Sequence, residues 1–183
     1  MPLNLYLLQF PHILILIKLI SEVSNMFKKI KPYIISILIP LFTGGLSAFI
    51  TRGSMDIYSK INTPPLTPPS FIFPIAWGIL YVLMGISSAL VFQHRDKSPD
   101  NAASAVFIYA LQLIVNFFWS IIFFNMQAFL FAFVWLILLW VLIIIMIFEF
   151  NKFSRTAALL QIPYLLWVTF AGYLTFMVWL LNG

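Results

Sequence analysis

The sequence predicts an all-α membrane protein, a bundle of five transmembrane helices, and three observations carry that prediction. Hydrophobic residues make up 63% of the 183-residue chain and charged residues 8%, against about half and about a quarter in a soluble domain. Apolar runs that reach the roughly 20 residues a helical crossing requires recur at about 30–51, 71–93, 103–124, 127–149 and 156–181. None of them alternates polar with apolar residues at period two, as the strands of a membrane barrel do, so every backbone group has to be satisfied within a helix.

Residues 1–25 precede these runs and fit them poorly. The segment is apolar, but Pro11, His12, Lys18 and Glu22 interrupt it, and its best run, Ile13 to Ile20, is too short to span. Met26 followed by Phe-Lys-Lys-Ile-Lys resembles a natural start, so 1–25 is expected to be an N-terminal extension, from an upstream-extended start or disordered, with 26–183 as one transmembrane domain. An interfacial tail is the rival expectation. The first span, 30–51, carries Gly44, Gly45 and Ala48, and the second, 71–93, carries Gly85 and Ala89. This small-xxx-small spacing suits close helix packing, within the bundle or across a dimer.

Between the first two spans lies the one long connection, 52–70, with four prolines, Pro64, Pro65, Pro68 and Pro69, in its second half. Only Asn125 to Gln127 separates the third run from the fourth, so those two are expected to form an antiparallel hairpin. Pro163, near the start of the fifth, is expected to kink it. Lys28, Lys29 and Lys31, Arg95 and Lys97, and Lys152 and Arg155 all fall on one side of this arrangement, whereas Arg52 and Lys60 fall on the other. The positive-inside rule then places the N-terminus in the cytoplasm and the C-terminus outside. Since these cations flank spans, the net charge of +5 reflects topology, and no nucleic-acid partner is expected.

No Asp, Glu, Lys, Arg or His interrupts the five spans, with His94 and Glu149 only at their ends. Ion pumps and proton-coupled carriers place ionisable groups within the membrane, so this pattern argues against them. It argues equally against hydrolysis, because no nucleophile has a neighbouring base. The absence of cysteine removes disulfides and thiolate ligation, and the two histidines, His12 and His94, leave no candidate to ligate haem. No metal site and no resident cofactor are expected.

Aromatic residues and isolated neutral polar groups remain. Trp77, Tyr81, Met84 and Ser88 share one face of the second helix. Gln112, Asn116, Trp119, Ser120 and Phe123 form a stripe on the third, and Tyr164, Trp167, Ala171 and Thr175 form one on the fifth. Rings with a few amides and hydroxyls describe a pocket for a flat, largely apolar ligand. Other roles compete for several of these residues. Trp77, Tyr164 and Trp179 also suit an interfacial belt, Gln112 and Asn116 also suit interhelical hydrogen bonds, and Trp119 also suits packing on a neighbouring helix. Trp135 and Trp140 point to different faces, which suits packing or lipid contact.

Four segments in order, "IPLFTGGLSAFIT", "PPLTPPSFIFPIAWGILYVLMG", "QLIVNFFWSIIFF" and "LLQIPYLLWVTFAGYL", resemble the TspO/MBR family, which comprises tryptophan-rich sensory proteins and the translocator proteins or peripheral benzodiazepine receptors. The likeness runs from about Ile39 to Leu174. It implies a five-helix bundle, commonly a homodimer, whose pocket binds porphyrins or other tetrapyrroles, sterol-like lipids and isoquinoline or benzodiazepine-type ligands under a lid formed by the first loop. The proline collar would then end the lid, holding an extended backbone that lacks N–H groups to satisfy at the membrane surface.

By motif position the implied ligand contacts fall on Trp77, Tyr81, Asn116, Trp119 and Trp167, with Tyr58 and Ala171 beside them. The chain departs from the family pattern at Ile57 and Leu66, where relatives carry Trp, and no basic residue follows Tyr173, where the proposed sterol motif needs one. The resemblance implies a receptor or sensor in a bacterial membrane, in contact with membrane lipids. One alternative is a light- and oxygen-dependent porphyrin-degrading enzyme with Trp77 and Trp167 as its catalytic candidates. A porphyrin or lipid transporter is the other.

Overall fold

The computed structural model describes the backbone of residues 11–183 and, within that range, all side chains but those of residues 11–14, 58, 59, 97 and 100. Residues 1–10 lie outside the description. The described residues form a bundle with five helical segments long and apolar enough to cross a membrane, and no strand occurs among them. In chain order these are α1 (Pro11–Thr51), α2 (Ile72–Gln93), α3 (Pro99–Ser120), α4 (Phe129–Asn151) and a last crossing in two pieces, α5 (Arg155–Leu159) and α6 (Ile162–Asn182). The protein is therefore an integral membrane protein built as a five-span helical bundle.

Several boundaries differ from the sequence-based expectation, and each difference has a local cause. Among the described residues the first helix is already formed at Pro11 and not only from about residue 30, because nothing between Ile13 and Lys31 forbids helical backbone. A run without glycine or internal proline simply continues the helix outward from the span. At the end of α3 the chain widens into a π-turn over Ile121–Asn125, and Gln127 takes a left-handed backbone, φ 52°, to reverse direction into α4. The α3–α4 hairpin expected from the short connection forms across this turn.

Pro163 does not kink a continuous helix. It occupies the first turn of α6, where a missing N–H costs nothing, and the helix is instead interrupted between Leu159 and Ile162. Ser154 caps α5 by accepting from the Ala157 N–H at 3.3 Å.

The first two helices pack closest, and glycine makes this possible. A Cβ placed on Gly85 of α2 would lie 2.4 Å from the Ile37 Cα of α1, so the backbones could not stay where they are. A Cβ on Gly44 of α1 would meet the Tyr81 ring at 2.0 Å, whereas one on Gly45 would meet nothing within 4 Å. The small-residue stripe thus serves contacts inside the bundle at Gly44 and Gly85, and Gly45 faces away. Side chains tie the remaining helices together. Ser47 donates to the Phe117 carbonyl (3.2 Å), Ser87 to the Ala157 carbonyl (2.7 Å), Trp135 to the Val115 carbonyl (2.8 Å) and Trp140 to Thr169 Oγ1 (2.9 Å).

Gly85→Ala is expected to destabilise the bundle by about 1–3 kcal/mol, the range for overpacking a well-filled contact, while Gly45→Ala, in open space on a helix, is expected to stabilise it by up to about 1 kcal/mol. Thermal unfolding of the two variants in detergent measures both.

Candidate ligand-binding site

A cavity of about 280 Å3 opens between α1, α2 and α3. From α1 it is walled by Gly44, Ser47, Ala48 and Thr51, from α2 by Phe73, Trp77 and Tyr81, and from α3 by Asn116, Trp119 and Ser120, with Phe124 from the π-turn. Met55 and Ser70 stand at its loop end. Among the described residues no charged side chain lines it.

Its floor is a hydrogen-bonded column that crosses three helices. The Tyr81 hydroxyl donates to Asn116 Oδ1 (3.0 Å), Asn116 Nδ2 donates to the Tyr164 hydroxyl (3.0 Å), and Tyr164 donates to Gln112 Oε1 (3.0 Å). Gln112 Nε2 then lies 4.0 Å from Met84 Sδ. All donors run one way, from α2 through α3 to α6 and back to α3, so both amide orientations are fixed by their neighbours. Asn116 and Gln112 are buried, and within a bilayer water offers them no alternative partner. Gln112 does not reach the cavity, so interhelical bonding is its role.

Rings complete the walls. Trp77 stacks on Tyr81 with centroids 5.6 Å apart and 29° between planes, and meets Tyr164 edge-on at 6.1 Å. Trp119 stacks on Phe123 at 5.3 Å. Behind Trp77 and Trp119 runs a narrow crevice lined also by Phe73, Trp167, Phe170, Ala171, Leu174 and Thr175, with only about 10 Å3 of free space, barely enough for one water. The indole N–H groups of Trp119 and Trp167 are both buried without a hydrogen-bond partner. Thr175 spends its hydroxyl on the Ala171 carbonyl of its own helix (2.8 Å).

Of the residues expected at a pocket, Trp77, Tyr81, Asn116 and Trp119 converge on the cavity. Trp167 and Ala171 stand in the crevice, on the far side of Trp77 and Trp119. The side chain of Tyr58 lies outside the described residues. Sequence reading missed the contribution of α1. The spacing of Gly44, Ser47, Ala48 and Thr51 at threes and fours was the available signal, and it reads as helix packing because small residues serve a contact and a cavity wall equally well.

The first loop continues α1 as a 3-10 helix over Arg52–Ser59 and only then becomes extended. Pro64 to Thr67 close a turn, with the Thr67 N–H 3.3 Å and its hydroxyl 2.7 Å from the Pro64 carbonyl. Leu66 sits at φ 68° in the third position, where glycine is usual. The loop is fastened to the C-terminal half of α6. The Asn62 N–H donates to Asn182 Oδ1 (2.8 Å), Asn182 Nδ2 donates back to the Asn62 carbonyl (3.0 Å), and the Tyr173 hydroxyl donates to the Pro65 carbonyl (3.2 Å).

The TspO/MBR family model matches residues 36–180. The chain belongs to the TspO/MBR family. It is 37% identical to the Tryptophan-rich protein TspO of Chlorobaculum tepidum over 136 residues, which cover 74% of this chain and 85% of that protein. It is 33% identical to the Translocator protein of Bos taurus (78% and 85% covered) and 32% identical to the Tryptophan-rich sensory protein of Cereibacter sphaeroides (77% and 89%). The family match takes in the cavity, the column and the loop, and leaves the first 35 residues outside it.

Asn182→Ala removes both clamp bonds to Asn62 and is expected to lower the cost of loop opening by about 1–2 kcal/mol. Trypsin cleavage after Lys60 should accelerate severalfold, while the melting temperature of the bundle changes little.

Proposed function

We propose that this protein is a membrane receptor that senses a tetrapyrrole, a metal-free porphyrin or a related pigment, in the cavity between α1, α2 and α3. The supporting observation is an uncharged aromatic cavity whose floor presents one fixed hydroxyl and one fixed amide, Tyr81 and Asn116. Stacking on Trp77 and Trp119 supplies most of the affinity, and the hydrogen bonds orient the ring. The names of the relatives, sensory protein and translocator protein, agree with a ligand-responsive role.

At about 280 Å3 the cavity is at the small end for a ligand pocket. A tetrapyrrole therefore enters by moving the Trp77 or Trp119 ring aside and merging the cavity with the crevice behind. That movement brings Trp167 and Ala171 against the ligand and gives the orphaned indole N–H groups of Trp119 and Trp167 an acceptor. Binding thus rearranges the packing among α2, α3 and α6, the change a sensor needs. The bacterial relatives support a bacterial membrane as its location, and a homodimer is proposed from the family resemblance alone.

Titration of the detergent-purified protein with protoporphyrin, followed by tryptophan quenching, tests this reading. Affinity, not amplitude, is the readout, because losing one indole dims the signal on its own. Trp77→Phe, Asn116→Ala and Trp167→Phe are each expected to weaken binding about tenfold, some 1.4 kcal/mol, and Trp140→Phe, whose indole is bonded to Thr169, to leave it unchanged. Equal affinity in all four variants sinks the assignment.

A further inference from the structure

The first helix is twice as long as a membrane crossing requires. Its 41 residues, Pro11–Thr51, extend over about 60 Å, against a hydrocarbon core about 30 Å thick. Residues 33–51 are enough to cross, so the segment before Pro32 stands outside the core. That segment is strongly two-sided. At 100° per residue, Leu16, Leu19, Ile20, Val23, Met26, Phe27 and Ile30 fall within one arc of about 120°. Lys18, Ser21, Glu22, Asn25, Lys28 and Lys29 fall on the opposite arc. These seven apolar side chains are exposed, from 41% at Ile30 to 62% at Phe27, and Ile15 and Ile17, also exposed, flank the arc, so no other described part of the chain covers this face. The family match starts only at residue 36, so the segment lies outside it.

We propose that residues 15–31 form an interfacial helix that lies on the membrane surface, apolar arc inward, and binds anionic lipid headgroups through its lysines. Three observations favour a lipid surface over a second copy of the helix. The polar arc and its border carry four lysines, Lys18, Lys28, Lys29 and Lys31, against the single acid Glu22, a balance that complements anionic lipid and repels its own copy. The apolar arc is three columns wide, which fits a plane of acyl chains better than the two-column seam of a coiled coil. The segment is also covalently continuous with a membrane span, so the surface is always within reach. Pro32 supplies the hinge. It has no N–H to offer the Lys28 carbonyl, so the helix lacks one rung at the point where it must turn from crossing the bilayer to lying along it.

Because the natural sequence has no cysteine, single-cysteine spin labels on the full chain test this directly. Val23→Cys and Asn25→Cys place labels on opposite arcs, and Leu16→Cys with Lys18→Cys repeats the pair further out. The proteins are reconstituted into vesicles of phosphatidylcholine, with and without phosphatidylglycerol, and collision with oxygen is compared with collision with a water-soluble nickel chelate. The labels at 16 and 23 are expected to be severalfold more accessible to oxygen than to nickel, and those at 18 and 25 the reverse. Phosphatidylglycerol should deepen the contrast, and Lys28→Glu with Lys29→Glu should abolish that gain. Equal nickel access at all four positions means a helix projecting into water, and dipolar broadening at position 23 in both lipid mixtures means a second copy. Either outcome overturns the proposal.

Discussion

An amide buried inside a lipid-embedded bundle must find both a donor and an acceptor among its neighbours, and Asn116 imposes that demand on this fold. Its two atoms are met by two tyrosines from two different helices, Tyr81 of α2 and Tyr164 of α6, each at 3.0 Å. A shift of either helix by one residue along its axis would separate these partners by about 1.5 Å and leave polar groups unpaired where water cannot replace them. The register of α2, α3 and α6 therefore follows from one side chain, with Gln112 and Met84 extending the same constraint one layer further. Apolar packing alone would not fix it, since lipid tails compete for apolar faces and leave little hydrophobic drive between helices.

The cavity follows from what the column leaves unfilled. Asn116 and Tyr81 hold α2 and α3 at a fixed spacing, and α1 closes that side with a face of Gly44, Ser47, Ala48 and Thr51, too small to fill the space in between. Gly44 has a second effect. Lacking a Cβ, it lets the Tyr81 ring lie against α1, so the hydroxyl reaches Asn116. Larger side chains on α1 would fill the cavity and displace its floor together, which couples the open space to the polar column beneath it.

The number of spans and the hairpin were legible because they rest on apolar run length and on a loop too short to do otherwise, and the stripes that carry Trp77, Tyr81, Asn116 and Trp119 were legible from helical period, while the choice of these four within the stripes came from the resemblance. What was not legible depends on pairs of distant residues. The indole of Trp135 reads as packing or lipid contact until its distance to the Val115 carbonyl is known. Trp167 shares a stripe with Tyr164, yet only the position of Trp77 decides that it stands behind the cavity wall. Pro163 reads as a kink because the sequence does not show that the preceding turn has already broken the helix, which changes the same proline from a defect into an initiator. The two-sided character of residues 15–31 was present in the sequence, but its interrupted apolar run falls short of a crossing because its apolar residues lie on one arc and not all round.

The fastening of the first loop bears on how anything reaches the cavity. Its side-chain hydrogen bonds to the bundle are made at Asn62 and Pro65, to Asn182, Leu181 and Tyr173 of α6, with Ile57 buried and Ile61 packed against the core, whereas the loop-side residues that border the cavity are Met55, before the clamp, and Ser70, after it. The chain thus leaves the top of α1, is held against α6 and returns to α2. A flexible methionine therefore borders the entrance, with Phe124 opposite, and moving those two side chains breaks none of the clamp's hydrogen bonds. The loop in this arrangement keeps α1, α2 and α6 together at one membrane face, while two of its own residues, Met55 and Ser70, border the cavity.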